Sequence, residues 1–352
     1  MKAARVNAFG DVDQLEIVEV PEPVPGQGEI IVRVEACGLN YADVMQREGL
    51  YPGGPNPPYI AGLEAAGIVE SHGPGGGNLP PVGSRVVALC SGAHAERVRA
   101  DSRACIVLPA TMSFVEGAAF PVQYLTAYHT LVTLAHAAAG ETVLIHAAAG
   151  GVGTAAVQIA KLLGLRVVAT ASTNEKREKV IDLGAEVAVG YDEFEVAARE
   201  LTNGRGPDIC LESIGGDVFR RSLEIMPALG RLVVFGAASK EAQSIDTLKL
   251  FFRSQSVLGF HLNGIIGRPD LMVSSLTTLL GWIGTGKLKI QIGHTFPLTE
   301  IRKAHELLAS RKSYGKIVLE IRDQRSAVSG KRSEVKRWKS EDRRRSYMNA
   351  VR

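Results

Sequence analysis

Among 352 residues no uninterrupted apolar run reaches the length of about 18 that a membrane-spanning helix needs, so none is expected. The first twenty residues carry charges every few positions and lack the continuous apolar centre of a secretory leader. Cysteine is scarce: Cys37, Cys90, Cys105 and Cys210 stand far apart, with no Cys-x-x-Cys pair. That spacing excludes a zinc-ribbon cluster, and a chain of this length buries enough core to fold without disulfide staples. Four reduced thiols in a cytoplasmic protein are the expectation. Aromatic residues are few at 6%, but hydrophobic residues at 45% and charged residues at 22% exclude disorder along the whole length.

A large net charge is also missing: the total is +3. Arg322–Arg352 holds 11 of the 40 basic and 4 of the 37 acidic residues, so this segment carries +7 and the rest of the chain −4. A slightly acidic body argues against nucleic-acid binding. The basic segment 322–352 reads as a disordered tail, either simply solvated or in contact with an anionic membrane.

What is present falls into tracts. Residues 1–122 carry short β-rich runs broken by Gly and Pro (QLEIVEV, IIVRVEA, AGIVES, SRVVAL, AERVRA, CIVLP), which predict a small β domain. SHGPGGGNLPPVG reads as a flexible turn between two of these strands. Over 123–262 fully apolar runs (TVLIHA, RVVATA, DICLES, RLVVFG, SVLGF) alternate with helical stretches. Such strands are buried on both faces, and the alternation predicts α/β architecture: a doubly wound parallel sheet of about six strands. Residues 263–321 add a helix, a strand, a helix and a strand, expected to return to the first domain.

The most specific stretch is Gly140–Lys161, GETVLIHAAAGGVGTAAVQIAK. An apolar strand enters small residues and Gly150, Gly151, Val152 and Gly153, and a helix follows. Small residues let the backbone approach a pyrophosphate, and the helix N-terminus offers it free amide donors and a positive dipole. The strict G-x-G-x-x-G spelling is not met, because Ala148 takes the first glycine's place. The surrounding βαβ pattern favours a dinucleotide site over a plain strand–helix turn. After the second strand come Ser172, Thr173, Asn174, Glu175, Lys176 and Arg177, with no acid at the strand end to bind ribose hydroxyls. Hydroxyls and cations there suit a 2′-phosphate, although Lys176 and Arg177 also read as a solvated helix start. NADPH is the expected cofactor.

These residues resemble a known family. Gly140–Lys161, with Leu144, Gly150, Gly151, Gly153, Gln158 and Lys161 in place, is similar to the signature of the zinc-independent quinone oxidoreductase/zeta-crystallin family of the medium-chain dehydrogenase/reductase superfamily. The resemblance runs from residue 1 to about 321 through Asn40-Tyr41-Ala42-Asp43, Gly49-Leu50-Tyr51-Pro52, Gly62-Leu63-Glu64 and Tyr314-Gly315-Lys316. Val122–Tyr128 and Gly259–Leu262 are more similar to its VAT-1-like branch. The resemblance implies a GroES-like β domain, a Rossmann domain, a catalytic cleft between them and a homodimer joined near Val257. Zinc-dependent relatives use Cys and His as catalytic ligands where this chain has Asn40 and Leu63, neither of which replaces a thiolate or an imidazole.

The implied activity is NADPH-dependent reduction of a quinone, with reduction of an enone or alkenal double bond as the alternative. A third reading is an NADPH-binding, membrane-associated protein with little catalysis. By resemblance Asn40, Asp43, Tyr51 and Thr126 line the catalytic cleft. Asp43 has a second reading as a helix cap, and Tyr51 as loop packing. Met45 stands where the family often has another tyrosine. Gly150, Gly151 and Val152 should face the pyrophosphate, and Thr173, Lys176 and Tyr191 the 2′-phosphate. Ser213, Phe235, Gly236, Ala237, Phe260, His261 and Leu262 should flank the nicotinamide half. Lys316 is expected to reach the cofactor from the returning segment.

Overall fold

The computed structural model describes residues 1–75, 79–241 and 243–321. The expected basic tail, Arg322–Arg352, and the centre of the Gly-rich turn lie outside the described residues.

The N-terminal half is β-rich. Strands β1 (Lys2–Val6), β2 (Leu15–Glu19), β3 (Glu29–Leu39), β4 (Tyr59–Ile60), β5 (Glu64–His72), β6 (Arg85–Leu89), β7 (Arg97–Asp101) and β8 (Cys105–Val107) are interrupted by helix α1 (Tyr41–Arg47). A three-stranded sheet runs β2-β1-β4. The long β3 pairs antiparallel with both β5 and β7, forming the centre of a seven-stranded sheet. Helices α2 (Phe114–Ala119) and α3 (Pro121–Tyr128) then lead into the second unit.

That unit alternates strands with helices. Strands β9 (Thr142–Ile145), β10 (Arg166–Thr170), β11 (Val187–Val189), β12 (Ile209–Glu212), β13 (Arg231–Val234) and β14 (Ser256–Gly259) form one parallel sheet in the order β11-β10-β9-β12-β13-β14. The helices between them are α4 (Gly151–Leu162), α5 (Asn174–Leu183), α6 (Phe194–Leu201), α7 (Gly216–Ile225) and α8 (Thr247–Arg253). Successive residues of one strand enter cores on opposite faces: Val143 and Ile145 pack with Leu125 and Val157, Leu144 with Phe194 and Phe219. Two covered faces explain why these strands read as unbroken apolar runs. The GroES-like and doubly wound architectures are both present as expected.

The order reverses between β9 and β12, and a crevice at the carboxyl ends of the strands there is where such sheets bind ligands. Beyond β14, α9 (Asn263–Ile266) and α10 (Pro269–Gly284) follow, and Met272 and Leu279 of α10 enter the core of Leu125 and Val157. The chain then returns through β15 (Ile292–Pro297), α11 (Ile301–Ala309) and β16 (Lys316–Glu320). β16 pairs antiparallel with β3, setting Ile317 opposite Leu39. Lys316 thereby lands beside Asn40. Among the described residues no helix is long and apolar enough to cross a membrane.

Candidate active site

The turn after β9 is built for close approach. A Cβ on Gly153 would stand 2.4 Å from Ala147 O, and one on Gly151 2.8 Å from Gln123 Cγ. Only glycine lets α4 begin this tightly against the strand and against α3. The first internal bond of α4 runs from Thr154 N–H to Gly150 O at 2.9 Å. The preceding amides of Gly151, Val152 and Gly153 have no carbonyl within the helix to receive them, and they form an anion-binding terminus. Tyr191 Oη accepts the Ala147 N–H at 3.2 Å, and its ring lies parallel to His146. A dinucleotide pyrophosphate fits this cradle.

Register places the remaining cofactor candidates at one level. Glu212 pairs with Val234 and Val234 with Gly259, so Ser213, Phe235 and Phe260 each lie one residue beyond the paired ends. Gly236 follows Phe235 and lies so close to Ser213 that a Cβ there would stand 3.0 Å from the serine Cβ, while Ala237 closes the turn. Phe260 lies parallel to His129, and Leu262 packs on the core. At the end of β10, Thr173 caps α5 by accepting the Lys176 N–H at 3.3 Å. Lys176 is nearly buried; its ammonium donates to Arg311 O at 2.7 Å, and Arg311 in turn donates to Ala238 O at 2.8 Å. Arg311, whose positive charge reaches Tyr191, escaped the sequence reading because nothing in its helix-end setting marks it. Glu212 escaped it too: buried at the end of β12, it accepts the amides of Ile214 and Gly215 at 2.7 and 3.0 Å and so shapes the turn that carries Ser213.

The second half of the site is a buried polar network. Lys316 Nζ donates to Asn40 Oδ1 at 2.8 Å, Glu64 Oε1 at 2.5 Å and Gln123 Oε1 at 2.8 Å. Gln123 Nε2 and Asn40 Nδ2 continue it, donating to Asn40 Oδ1 and Glu64 Oε1 at 2.9 Å each. Glu64 Oε2 accepts the Val122 N–H at the start of α3 at 3.0 Å, where the helix dipole favours an anion. Burial pulls the Lys316 ammonium down while Glu64 holds it up. An ammonium has three donors, and all three on Lys316, the residue expected to reach the cofactor, are engaged inside the network, one of them on the Asn40 side chain.

Asp43 Oδ2 accepts the Asn40 N–H at 2.7 Å, the helix-cap reading, while the carboxyl is buried beside the network. Burial pushes it up to about 7 against the pull of Asn40 N–H and Lys316. Thr126 is buried one turn after Gln123 on α3. Tyr51 reaches across to the other domain, its Oη 2.6 Å from His261 Nε2. Among the described residues no group of three or more His, Cys, Asp and Glu could hold a metal, and burial pushes the Cys37 and Cys90 thiols well up.

A GroES-like domain joined to a parallel dinucleotide-type sheet, with a polar cleft at their junction, defines the medium-chain dehydrogenase/reductase class. Comparison agrees: residues 26–137 match the family model described as alcohol dehydrogenase GroES-like domain, and 151–277 that of zinc-binding dehydrogenase. The synaptic vesicle membrane protein VAT-1 homolog of Danio rerio is 33% identical, over 90% of this chain and 69% of its own. The quinone oxidoreductase of Pongo abelii is 30% identical over 91% of this chain and 97% of its own. The structure of Escherichia coli quinone oxidoreductase complexed with NADPH superposes with a TM-score of 0.87 at 31% identity, covering 91% of this chain and all of the other. This chain belongs to the quinone oxidoreductase family of the medium-chain dehydrogenase/reductase superfamily, with similarity to its VAT-1-like members.

Proposed function

We propose that this protein is a zinc-independent NADPH:quinone oxidoreductase whose acceptor binds in the cleft bounded by Asn40, Asp43, Tyr51 and Thr126. The observation that carries the acceptor class is the occupation of Asn40 Oδ1 and Glu64 Oε1 by the Lys316 ammonium. With these oxygens committed, and with amide and aliphatic side chains at positions 40 and 63, the cleft offers poor metal donors. It suits an acceptor that needs little electrophilic activation. NADPH, when bound, supplies the hydride. Gly150, Gly151 and Val152 hold its pyrophosphate, and Thr173, Lys176, Tyr191 and Arg311 surround its 2′-phosphate. Ser213, Phe235, Gly236, Ala237, Phe260, His261 and Leu262 wall the nicotinamide half, and Asn40, held by Lys316 and Gln123, keeps one amide face toward it. Proximity and alignment are the main catalytic contributions of this chain.

The test is NADPH and NADH oxidation with 1,4-benzoquinone, 9,10-phenanthrenequinone and a series of enones, in wild type and Lys176→Ala. A hydrogen bond to a charged group contributes about 1.5–3 kcal/mol, so Lys176→Ala should raise KM for NADPH by roughly 10–100-fold and leave NADH nearly unchanged. A wild-type preference for NADH would overturn the cofactor assignment. Turnover of enones alone would favour the double-bond reductase reading.

The homodimer also belongs to this reading. Strand β14 is the sheet's edge, and beside it Phe251 and Phe252 are 73% and 80% exposed. An uncovered edge with adjacent exposed aromatics is what a second copy would cover. Sedimentation velocity should give a dimer for wild type and a monomer for Phe251→Ser/Phe252→Ser; a monomeric wild type would end this proposal.

A further inference from the structure

His261 is the residue whose chemistry the reading above leaves unused. It stands two residues beyond β14, at the carboxyl end of the parallel sheet, and is exposed. Its Nδ1 accepts the Asn263 N–H at 3.3 Å. A nitrogen that accepts carries no proton, so in the neutral ring the hydrogen is on Nε2. Nε2 lies 2.6 Å from Tyr51 Oη. The imidazole therefore donates and the phenol oxygen accepts, leaving the Tyr51 hydrogen free for a different partner. Tyr51 follows α1 in the opposite domain, half-buried and close enough to Asp43 to feel its charge. The free O–H thus belongs to the cleft that Asn40 and Asp43 line.

We propose that His261 is a positioning residue for Tyr51: its Nε2–H holds Oη across the interdomain cleft so that the Tyr51 hydroxyl delivers a proton to the oxygen of a carbonyl acceptor. This rests on the reductase reading above. As hydride reaches the acceptor carbon framework and charge builds on its oxygen, the Tyr51 O–H bond breaks and an O–H bond forms on the product. The phenolate left behind accepts the Nε2–H hydrogen bond and regains a proton from water at the open mouth of the cleft. The sum is one hydride and one solvent proton added to the acceptor. The same pair links the two domains across the cleft.

The first measurement needs no turnover. In full-length protein labelled with ¹⁵N-histidine, His261, assigned by its loss in His261→Leu, should show the Nε2–H tautomer, and Tyr51→Phe should shift its Nε2 resonance. The Nδ1–H tautomer, or no response to Tyr51→Phe, would overturn the proposal. The second is kinetic. Tyr51→Phe should lower kcat on the order of 100-fold, the usual scale of a positioned general acid, and reduce the solvent deuterium isotope effect. His261→Leu should lower kcat roughly 10-fold or more, a larger effect than its effect on KM for NADPH, because the lost hydrogen bond acts chiefly in the transition state. His261→Gln, which keeps an N–H donor, should restore most of the rate. The double variant Tyr51→Phe/His261→Leu should be no slower than Tyr51→Phe alone. Multiplicative effects, or no rescue by glutamine, would reduce His261 to a packing residue and overturn the proposal. Unchanged variants beside an active wild type would remove the proposal and leave the reductase reading standing. A wild type inactive with every quinone and enone would remove both.

Discussion

Lys316→Met should destabilise the fold by about 3–5 kcal/mol, because it leaves the Glu64 carboxylate buried without its cation. The lysine side chain is 2% exposed and the glutamate 0%. Removing the ammonium empties three hydrogen bonds at once, two of them on the amides of Asn40 and Gln123. The expected readout is a fall of roughly 5 °C in melting temperature, on the scale at which each kcal/mol costs a chain of this size about 1–2 degrees. Lys316→Met/Glu64→Gln should recover part of that loss, since the second change removes the orphaned charge while its amide still accepts from Val122 N–H. A double variant less stable than the single one would refute the view that the uncompensated carboxylate is the main cost. The change also frees Asn40 to rotate. Activity should therefore fall further than the loss of folded protein explains.

The network shows why part of the site was legible in the sequence and part was not. Gly150, Gly151 and Gly153 announce themselves, because a strand entering small residues before a helix has few other uses. The parallel sheet is equally legible, since TVLI, ICLE and RLVV are short apolar runs alternating with helical stretches, the pattern of strands covered on both sides. Strand β1 is not legible: KAARV gains its pairing from β2 and β4, and its charges face outward. Helix α8 is seven residues long, and none of them is buried, so it lacks the apolar face that periodicity detects. Lys316 is the sharpest case. A lone lysine after Tyr-Gly carries no local sign of burial, and its partner Glu64 is 252 positions away. The pairing of β16 with β3 creates that contact. Arg311 and Lys176 meet in the same way, through a backbone carbonyl that no side-chain pattern advertises.

Asp43 yields the second large expected effect, and its sign opposes that of an ordinary surface carboxylate. In the fold its carboxyl is pushed from 3.8 to about 7, chiefly by burial. The native state then binds more protons than the unfolded chain between those values, so this group's contribution is fully favourable below about pH 4 and is lost as pH rises through 7. Three pKa units correspond to about 4 kcal/mol, so the expected effect is on the order of 2–4 kcal/mol. Asp43→Asn keeps an oxygen to accept the Asn40 N–H that caps α1 but cannot ionise. Denaturant unfolding should therefore find the advantage of the variant over wild type growing by about 2–4 kcal/mol between pH 4 and pH 8, with part of that gain already present at pH 5. A difference that does not change with pH would show that Asp43 is already ionised in the native state. The carboxylate is then a liability for folding that the cleft retains, and the same substitution should lower turnover while it raises stability. That opposition separates a site residue from a simple helix cap, because replacing a cap alone would cost stability at both pH values and leave the chemistry untouched.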